Sequence, residues 1–296
     1  ELFNLKKSGV DNVIIEASSH GLAQGRLNGI NFTTGIFTNF SQDHLDYHKN
    51  MKNYFNSKMI LFSNLLSKNT NVITDKENKG FSSLKRIAKR KKLNLLTIDK
   101  NSIIKSDKIS LIGKFQIKNL LMSALASKLS GLSIKKIILS TKDIKSVNGR
   151  LELVRILSNK AKIFIDYAHT PDALFTVLKS LKKHYNSKVS LVFGCGGERD
   201  KKKRKVMARI ARDFCEKIYV TDDNPRRESP KKIRKMITRE LIKGNYLEIG
   251  NRAKAIKCAI QNSEPSEIIL VAGKGHEVTQ DYGKKIIKIS DKSIIK

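Results

Sequence analysis

Acidic residues are scarce in this chain, and so are cysteine, proline and long apolar runs. Aspartate and glutamate number 27 against 59 lysines and arginines, so the 296 residues carry a formal charge of +32. The three cysteines, Cys195, Cys215 and Cys258, are too few and too far apart for a disulfide framework or a metal knuckle. They predict reduced thiols in a reducing compartment. No apolar run approaches the ~20 residues of a membrane span, and no secretory leader pattern opens the chain. A cytoplasmic protein without a membrane partner is the expectation. With only four prolines there is no Pro-rich linker, and no internal repeat or low-complexity tract is visible. The opening "ELFNLKKSGVDNVIIEASSH" reads as a helix tail running into a strand, as though an upstream part were missing.

An excess of positive charge ordinarily points to nucleic acid or an anionic surface. Its distribution argues against a specific nucleic-acid partner. Lysines are scattered through nearly every segment and heavily outnumber arginines, which looks like a compositional habit rather than a patch. The densest clusters are "KRIAKRKK" (85–92) and "DKKKRK" (200–205). The first reads as a solvated helix face. A basic nucleic-acid-binding module remains the alternative of a different class.

Length suits one large domain or two of ordinary size. Apolar, β-branched runs recur at 12–16, 34–39, 71–74, 162–167, 189–194, 217–222 and 267–273. Helix-period stretches lie between many of them, at 171–185, 202–214, 230–242 and 251–261. Strands alternating with helices predict an α/β fold with parallel sheet, in which ligands bind beyond the carboxyl ends of the strands. A break near 146–150 divides the chain into 1–146 and 147–296.

Unusual residues crowd those strand ends. Glu16 closes the first run and is followed by Ser18, His20, Gln24 and Arg26. Asp43, His44, Asp46 and His48 fill a loop ahead of a helix carrying Lys58, whose neighbours at three and four positions are Tyr54, Phe55, Leu61 and Phe62. That spacing puts Lys58 on the apolar stripe, where burial favours the neutral amine. A neutral amine reacts with carbon dioxide to give a carbamate, an anionic oxygen ligand of the kind Mg²⁺ prefers. "FIDYAHTPDAL" brings Asp166, Tyr167 and His169 to a strand-to-helix turn. "FGCGGERDKKKR" makes a glycine-bearing turn suited to an anion. "VTDDNPRRES" joins an acid pair to Arg226 and Arg227, and "AGKGHE" carries Lys274, His276 and Glu277.

In this order, "EASSHGLAQGR", "TNFSQDHLDYHKNMKNYFNSK", "NGRLELV", "DYAHTPDAL", "FGCGGERDKKKR", "DDNPR" and "AGKGHE" resemble the Mur ligases, the ATP-dependent amide-forming enzymes of peptidoglycan precursor synthesis. The resemblance implies the remainder of a P-loop-type central ATPase domain over 1–146 and a Rossmann-like C-terminal Mur ligase domain over 147–296. It implies a monomer that uses ATP and Mg²⁺. A substrate carboxylate is phosphorylated, and an amine then attacks the acyl phosphate. The substrates implied are UDP-N-acetylmuramoyl-L-alanyl-D-glutamate and meso-2,6-diaminopimelate. Glu16, His44 and carbamylated Lys58 would ligate the metal, while Ser18, Gln24 and Arg26 would hold the UDP-muramyl dipeptide. Arg150, Asp166 and His169 would approach the nucleotide, and His44, Lys58 and Arg150 would carry catalysis. Asp223, Asn224, Pro225, Arg226, Gly273 and Glu277, with Arg199 assisting, would form the amino-acid pocket. Arg226, facing the acyl phosphate across the domain cleft, would grip the second carboxylate that diaminopimelate has and lysine lacks. A related ligase adding lysine is the alternative within the family.

One departure stands out. The sequence contains no glycine-rich loop ending in Gly-Lys-Ser/Thr. This predicts that the chain by itself does not hydrolyse ATP or join its substrates.

Overall fold

A computed structural model describes residues 2–98 and 111–296. Contacts divide the chain into two compact units. One holds Glu1–Phe40, Tyr47–Ile109 and Phe115–Asp143; the other holds Ser41–Asp46, Ser110–Lys114 and Ile144–Lys296.

The first unit is built on strands β1 (Phe32–Phe37), β2 (Leu66–Asp75) and β3 (Asn94–Ile98), all parallel and in the order β1-β2-β3. Helices α1 (Leu2–Lys7), α2 (Ser19–Ala23), α3 (Leu45–His48), α4 (Met51–Ile60), α5 (Phe81–Lys91), α6 (Lys114–Leu129) and α7 (Ile134–Thr141) precede or follow them; α3 and α6 begin in stretches grouped with the second unit. After α4 the chain makes one π turn, Leu61–Leu65, and enters β2 directly. Its core joins Phe37, Met59, Phe62, Leu66, Val72, Leu84 and Ala88. The basic cluster 85–92 does lie on a helix face. Leu84 and Ala88 of α5 are buried while Lys85, Arg86, Lys89 and Arg90 are exposed.

One expected strand is absent. Residues 12–16 pair with no strand among the described residues, and Ile14 is 98% exposed. A β-branched run becomes a strand only when a sheet edge satisfies its backbone groups. Nothing in the three-stranded ladder does so here. Glu16 therefore sits in exposed chain outside any strand and not at a buried strand end.

The second unit holds a six-stranded sheet. β4 (Glu152–Ile156) pairs antiparallel with β5 (Lys162–Asp166), and β6 (Val189–Phe193), β7 (Lys217–Val220), β8 (Tyr246–Glu248) and β9 (Ile268–Ala272) complete the order β4-β5-β9-β6-β7-β8. The other pairs are parallel. β6 and β9 are buried along their whole length, as expected of parallel strands covered on both faces. Helices α8 (Pro171–Tyr185), α9 (Lys202–Phe214), α10 (Pro230–Thr238) and α11 (Arg252–Gln261) connect them. Local chemistry explains their starts. Thr170 caps Ala173 N–H ahead of Pro171, and Asn251 caps Lys254 N–H. A hairpin of β10 (Thr279–Asp281) and β11 (Ile286–Lys288) follows, and α12 (Asp291–Ile295) ends the chain.

After β8 the chain returns to insert β9 between β5 and β6. That return puts the carboxyl ends of β5, β9, β6 and β7 side by side on one edge.

Candidate functional site

Four strand ends of the second unit converge through side chains. At the end of β5, Asp166 is buried and both its oxygens are engaged: Oδ2 accepts from Leu151 N–H at 2.6 Å and Oδ1 from Ala168 N–H at 2.7 Å. Burial pushes its pKa up to about 6, against the pull of those N–H groups and of the charges on Arg150 and His169. Asp166 thus fastens the loop bearing Arg150. The Arg150 guanidinium lies 4.4 Å from the Tyr167 ring centroid, and His169 Nδ1 is 2.8 Å from Tyr167 O.

A second layer comes from Ser41–Asp46. Asp43 Oδ2 stands 3.4 Å from His44 Nε2 and 3.6 Å from His169 Nε2. Burial raises the Asp43 pKa, but the hydrogen bond to His169, the two imidazoles and the His44 N–H outweigh it and hold the carboxyl at about 2. His44 itself has φ +55°. Arg199 Nη1 lies 3.3 Å from Asp46 Oδ2.

The ends of β7 and β9 form the densest polar cluster. Lys274, fully buried, donates to Asn224 Oδ1 at 3.1 Å and to Glu277 Oε2 at 2.8 Å. Asn224 Nδ2 donates to the same Glu277 oxygen at 3.1 Å, and Tyr167 Oη to Oε1 at 3.2 Å. Burial raises the Glu277 carboxyl, but Lys274 and these donors keep it below its ordinary value. Asp223 is 8% exposed; its Oδ1 takes Asn224 N–H, and its Oδ2 has no hydrogen-bond partner. Gly273 has φ +111°, and a Cβ there would come within 2.7 Å of that unpartnered oxygen.

Arg226 adopts φ +52°. Its Nη1 donates to Gly197 O at 2.8 Å and Asn224 O at 3.4 Å, while the Asp281 carboxylate is 4.0 Å from Nε. The side chain is a quarter exposed, so the guanidinium is aimed by carbonyls and not consumed in a buried ion pair. The β10–β11 hairpin holds this turn, through Gln280 Nε2 to Asp222 O and Asp223 O and through Arg226 N–H to Asp281 O.

Residues 149–275 match the Mur ligase glutamate ligase domain, and residues 1–106 match the Mur ligase middle domain. The chain belongs to the Mur ligase family. The UDP-N-acetylmuramoyl-L-alanyl-D-glutamate--2,6-diaminopimelate ligase of Rickettsia montanensis is 39% identical, over 99% of this chain and 65% of that protein. A solved structure of an enzyme of that name is 29% identical with a TM-score of 0.55, covering 95% of this chain and 62% of that one. The folylpolyglutamate synthase of Mycobacterium tuberculosis, complexed with ADP and AMPPCP, shares the fold at 18% identity and a TM-score of 0.67, over 83% of this chain and 62% of its own. The chain thus spans about 65% of the length of the relatives it matches.

The Mur ligase segments divide between the two units. Asp223, Asn224, Pro225, Arg226, Gly273 and Glu277 share one cluster in the second unit, with Arg199 on the adjoining turn; Arg150, Asp166 and His169 share the β5 end. Ser18, Gln24, Arg26, Glu16 and Lys58 belong to the first unit. There Ser18 caps α2 by accepting Gly21 N–H, Gln24 Nε2 donates to Tyr47 Oη at 3.3 Å, and Arg26 is exposed. Lys58 is half-buried, its Nζ 5.2 Å from the Tyr54 ring centroid. His48 is buried between Ser19 Oγ and Ser57 Oγ, which makes it a core imidazole. Lys274, Tyr167 and Asp43, which stood among the polar residues of those strand ends without an assigned role, prove to hold the cluster together; Glu228 was not singled out, and its place two residues after Arg226 was its only signal.

Proposed function

We propose that this chain is the middle and C-terminal part of an ATP-dependent ligase that joins meso-2,6-diaminopimelate to UDP-N-acetylmuramoyl-L-alanyl-D-glutamate. Residues 1–146 serve as the later part of the ATPase domain and 147–296 as the amino-acid-binding domain. The observation carrying the reading is the pairing of opposite charges in one small cluster. Asp223, with its buried, unpartnered carboxylate oxygen, and Arg226, whose guanidinium neighbouring carbonyls hold partly open, stand three residues apart on the one turn after β7. Diaminopimelate presents an ammonium and a carboxylate at each end. Asp223 and Glu277 accept from the distal ammonium, and Arg226, assisted by Arg199, takes the distal carboxylate in a two-pronged contact.

In the proposed reaction a dipeptide carboxylate oxygen attacks the γ-phosphorus of ATP and ADP departs. The free amine of diaminopimelate then attacks the acyl carbon, loses a proton and expels phosphate. Arg150 stacked on Tyr167, with His169 and the fastening Asp166, orients the nucleotide. Ser18, Gln24 and Arg26 hold the UDP-muramyl dipeptide. Among the described residues no three His, Cys, Asp or Glu side chains gather as a cation site. Glu16, His44 and Lys58, the last as its carbamate, are the residues that would serve as Mg²⁺ ligands, because a carbamate offers the anionic oxygen that the cation prefers. When bound, the cation would offset phosphate charge.

Lysine at the same site leaves the Arg226 guanidinium unmatched, costing roughly 1–3 kcal/mol, about 5- to 150-fold in affinity. Calorimetric titration of diaminopimelate and lysine tests this. Diaminopimelate should bind more tightly by that margin, and Arg226→Ala should erase the difference while leaving nucleotide binding intact. A preference for lysine rejects the reading.

A further inference from the structure

Arg204 belongs to a run of lysines, yet its side chain is fully buried. A guanidinium without solvent needs partners for its charge. Nη1 donates to Glu228 Oε2 and Nη2 to Glu228 Oε1, each at 3.0 Å, and Nη2 also reaches Gly196 O at 3.0 Å. Glu228 Oε1 in turn accepts Glu198 N–H at 2.6 Å. One ion pair therefore spans two turns, the one after β6 and the one after β7.

Neither turn has relaxed backbone. Glu198 has φ +53° and Arg226 has φ +52°, a region that costs a side-chain-bearing residue energy and persists only where surroundings impose it. Arg199 follows the first of these residues, and Arg226 is the second. Gly197 N–H donates to Asn224 O at 2.9 Å, and a Cβ on Gly197 would lie 1.9 Å from Pro225 O. The two turns are thus pressed together at the point where both arginines depart.

We propose that the Arg204–Glu228 pair is a positioning device that sets the direction and spacing of Arg199 and Arg226, and through them the selectivity for an amino acid with a carboxylate at each end. The proposal rests on the function above and deepens it. Neither residue of the pair touches substrate. They act through the Gly196 carbonyl, the Glu198 N–H and the left-handed residues that follow from them. Arg204 also explains why the "DKKKRK" cluster is not simply a solvated face, since Lys203 and Arg204 turn inward while Lys201, Lys202 and Lys205 stay exposed.

The test uses the whole 296-residue chain with Glu228→Gln, which keeps shape and removes charge, and Arg204→Lys, which keeps charge and removes the fork. Three quantities are read: the unfolding midpoint, the affinities for diaminopimelate and lysine, and the ¹⁵N–¹H resonance of Arg226 Nε, assigned with Arg226→Lys. In both variants diaminopimelate should weaken about tenfold, lysine should change by less than about threefold, and the Arg226 resonance should move. A merely structural pair would lower the midpoint and leave the affinity ratio and the resonance in place, and that result overturns the proposal. Should Glu228→Gln fail to fold, Glu228→Asp, with its carboxylate one methylene short, is judged by the same criteria. If the wild-type chain binds neither amino acid, the proposed function falls. The resonance then decides alone: moved in Glu228→Gln it upholds the positioning role, unmoved it refutes it.

Discussion

At the scale of single residues, Asp166 has the largest foreseeable effect on pH behaviour. Its carboxyl titrates near 3.8 when unfolded and at about 6 in the fold. Between those values the unfolded chain ionises while the folded one keeps its proton. Stability present below the lower value is therefore lost as the pH climbs to the upper one, and is flat beyond. The difference corresponds to roughly 3 kcal/mol at most. Urea unfolding of wild type and Asp166→Asn across that interval should show the variant lacking this part of the slope. The Asn side chain gives up one of the two acceptors that Leu151 and Ala168 use, so its stability at low pH should also be lower by about 1 kcal/mol. Identical slopes in the two proteins would show that Asp166 is not the titrating group.

At the scale of elements, the end of the chain is tied to the site's edge by one buried pair. Arg252 opens α11 and Asp291 opens α12; Nε and Nη2 donate to the two carboxylate oxygens at 2.7 and 2.6 Å, and Nη2 also reaches Ala272 O at 3.1 Å. Both side chains are completely buried, and Arg252 Nη1 has no partner. Removing the carboxylate leaves an uncompensated charge in the interior. Asp291→Ala should cost about 3–5 kcal/mol, seen as a lower urea midpoint at an unchanged slope. A loss below about 1 kcal/mol would mean that α12 detaches and lets water reach Arg252.

Elements also show what patterning could and could not reveal. The runs at 162–167, 189–194 and 267–273 were legible because burial on both faces demands continuous apolar residues. β8 and the β10–β11 hairpin are three-residue strands with exposed positions and left no such run. Residues 12–16 had the run and did not form the strand. β-propensity reports how well a residue suits a pleated surface, and among the described residues no neighbouring strand supplies one.

At the scale of the molecule, a charge of +32 predicts attraction to any polyanion. Fluorescence anisotropy with mixed-sequence duplex DNA should show binding in dilute salt that falls by about 10³-fold or more toward physiological salt, without sequence preference. Sequence-specific affinity that survives physiological salt would revive the nucleic-acid alternative. No helix among the described residues is long and apolar enough to cross a membrane. Burial raises the Cys195 thiol to about 11 and the Cys215 thiol further, so both stay protonated and unreactive in the folded chain.

The sequence by itself determined the α/β class, the order of the Mur ligase segments and the residue types at each strand end, because these follow from local periodicity and from chemistry carried on adjacent positions. Only the tertiary structure decided which of those polar groups are spent on the protein itself. His48 is held between two serine hydroxyls, Asp166 clasps two backbone amides, Lys274 neutralises Glu277, and Arg204 is drawn inward to Glu228. The physical reason is that an ion pair or an orphaned oxygen depends on groups brought within about 3 Å by the sheet's strand order. The return of β9 to a place between β5 and β6 is a long-range event that no window of sequence encodes.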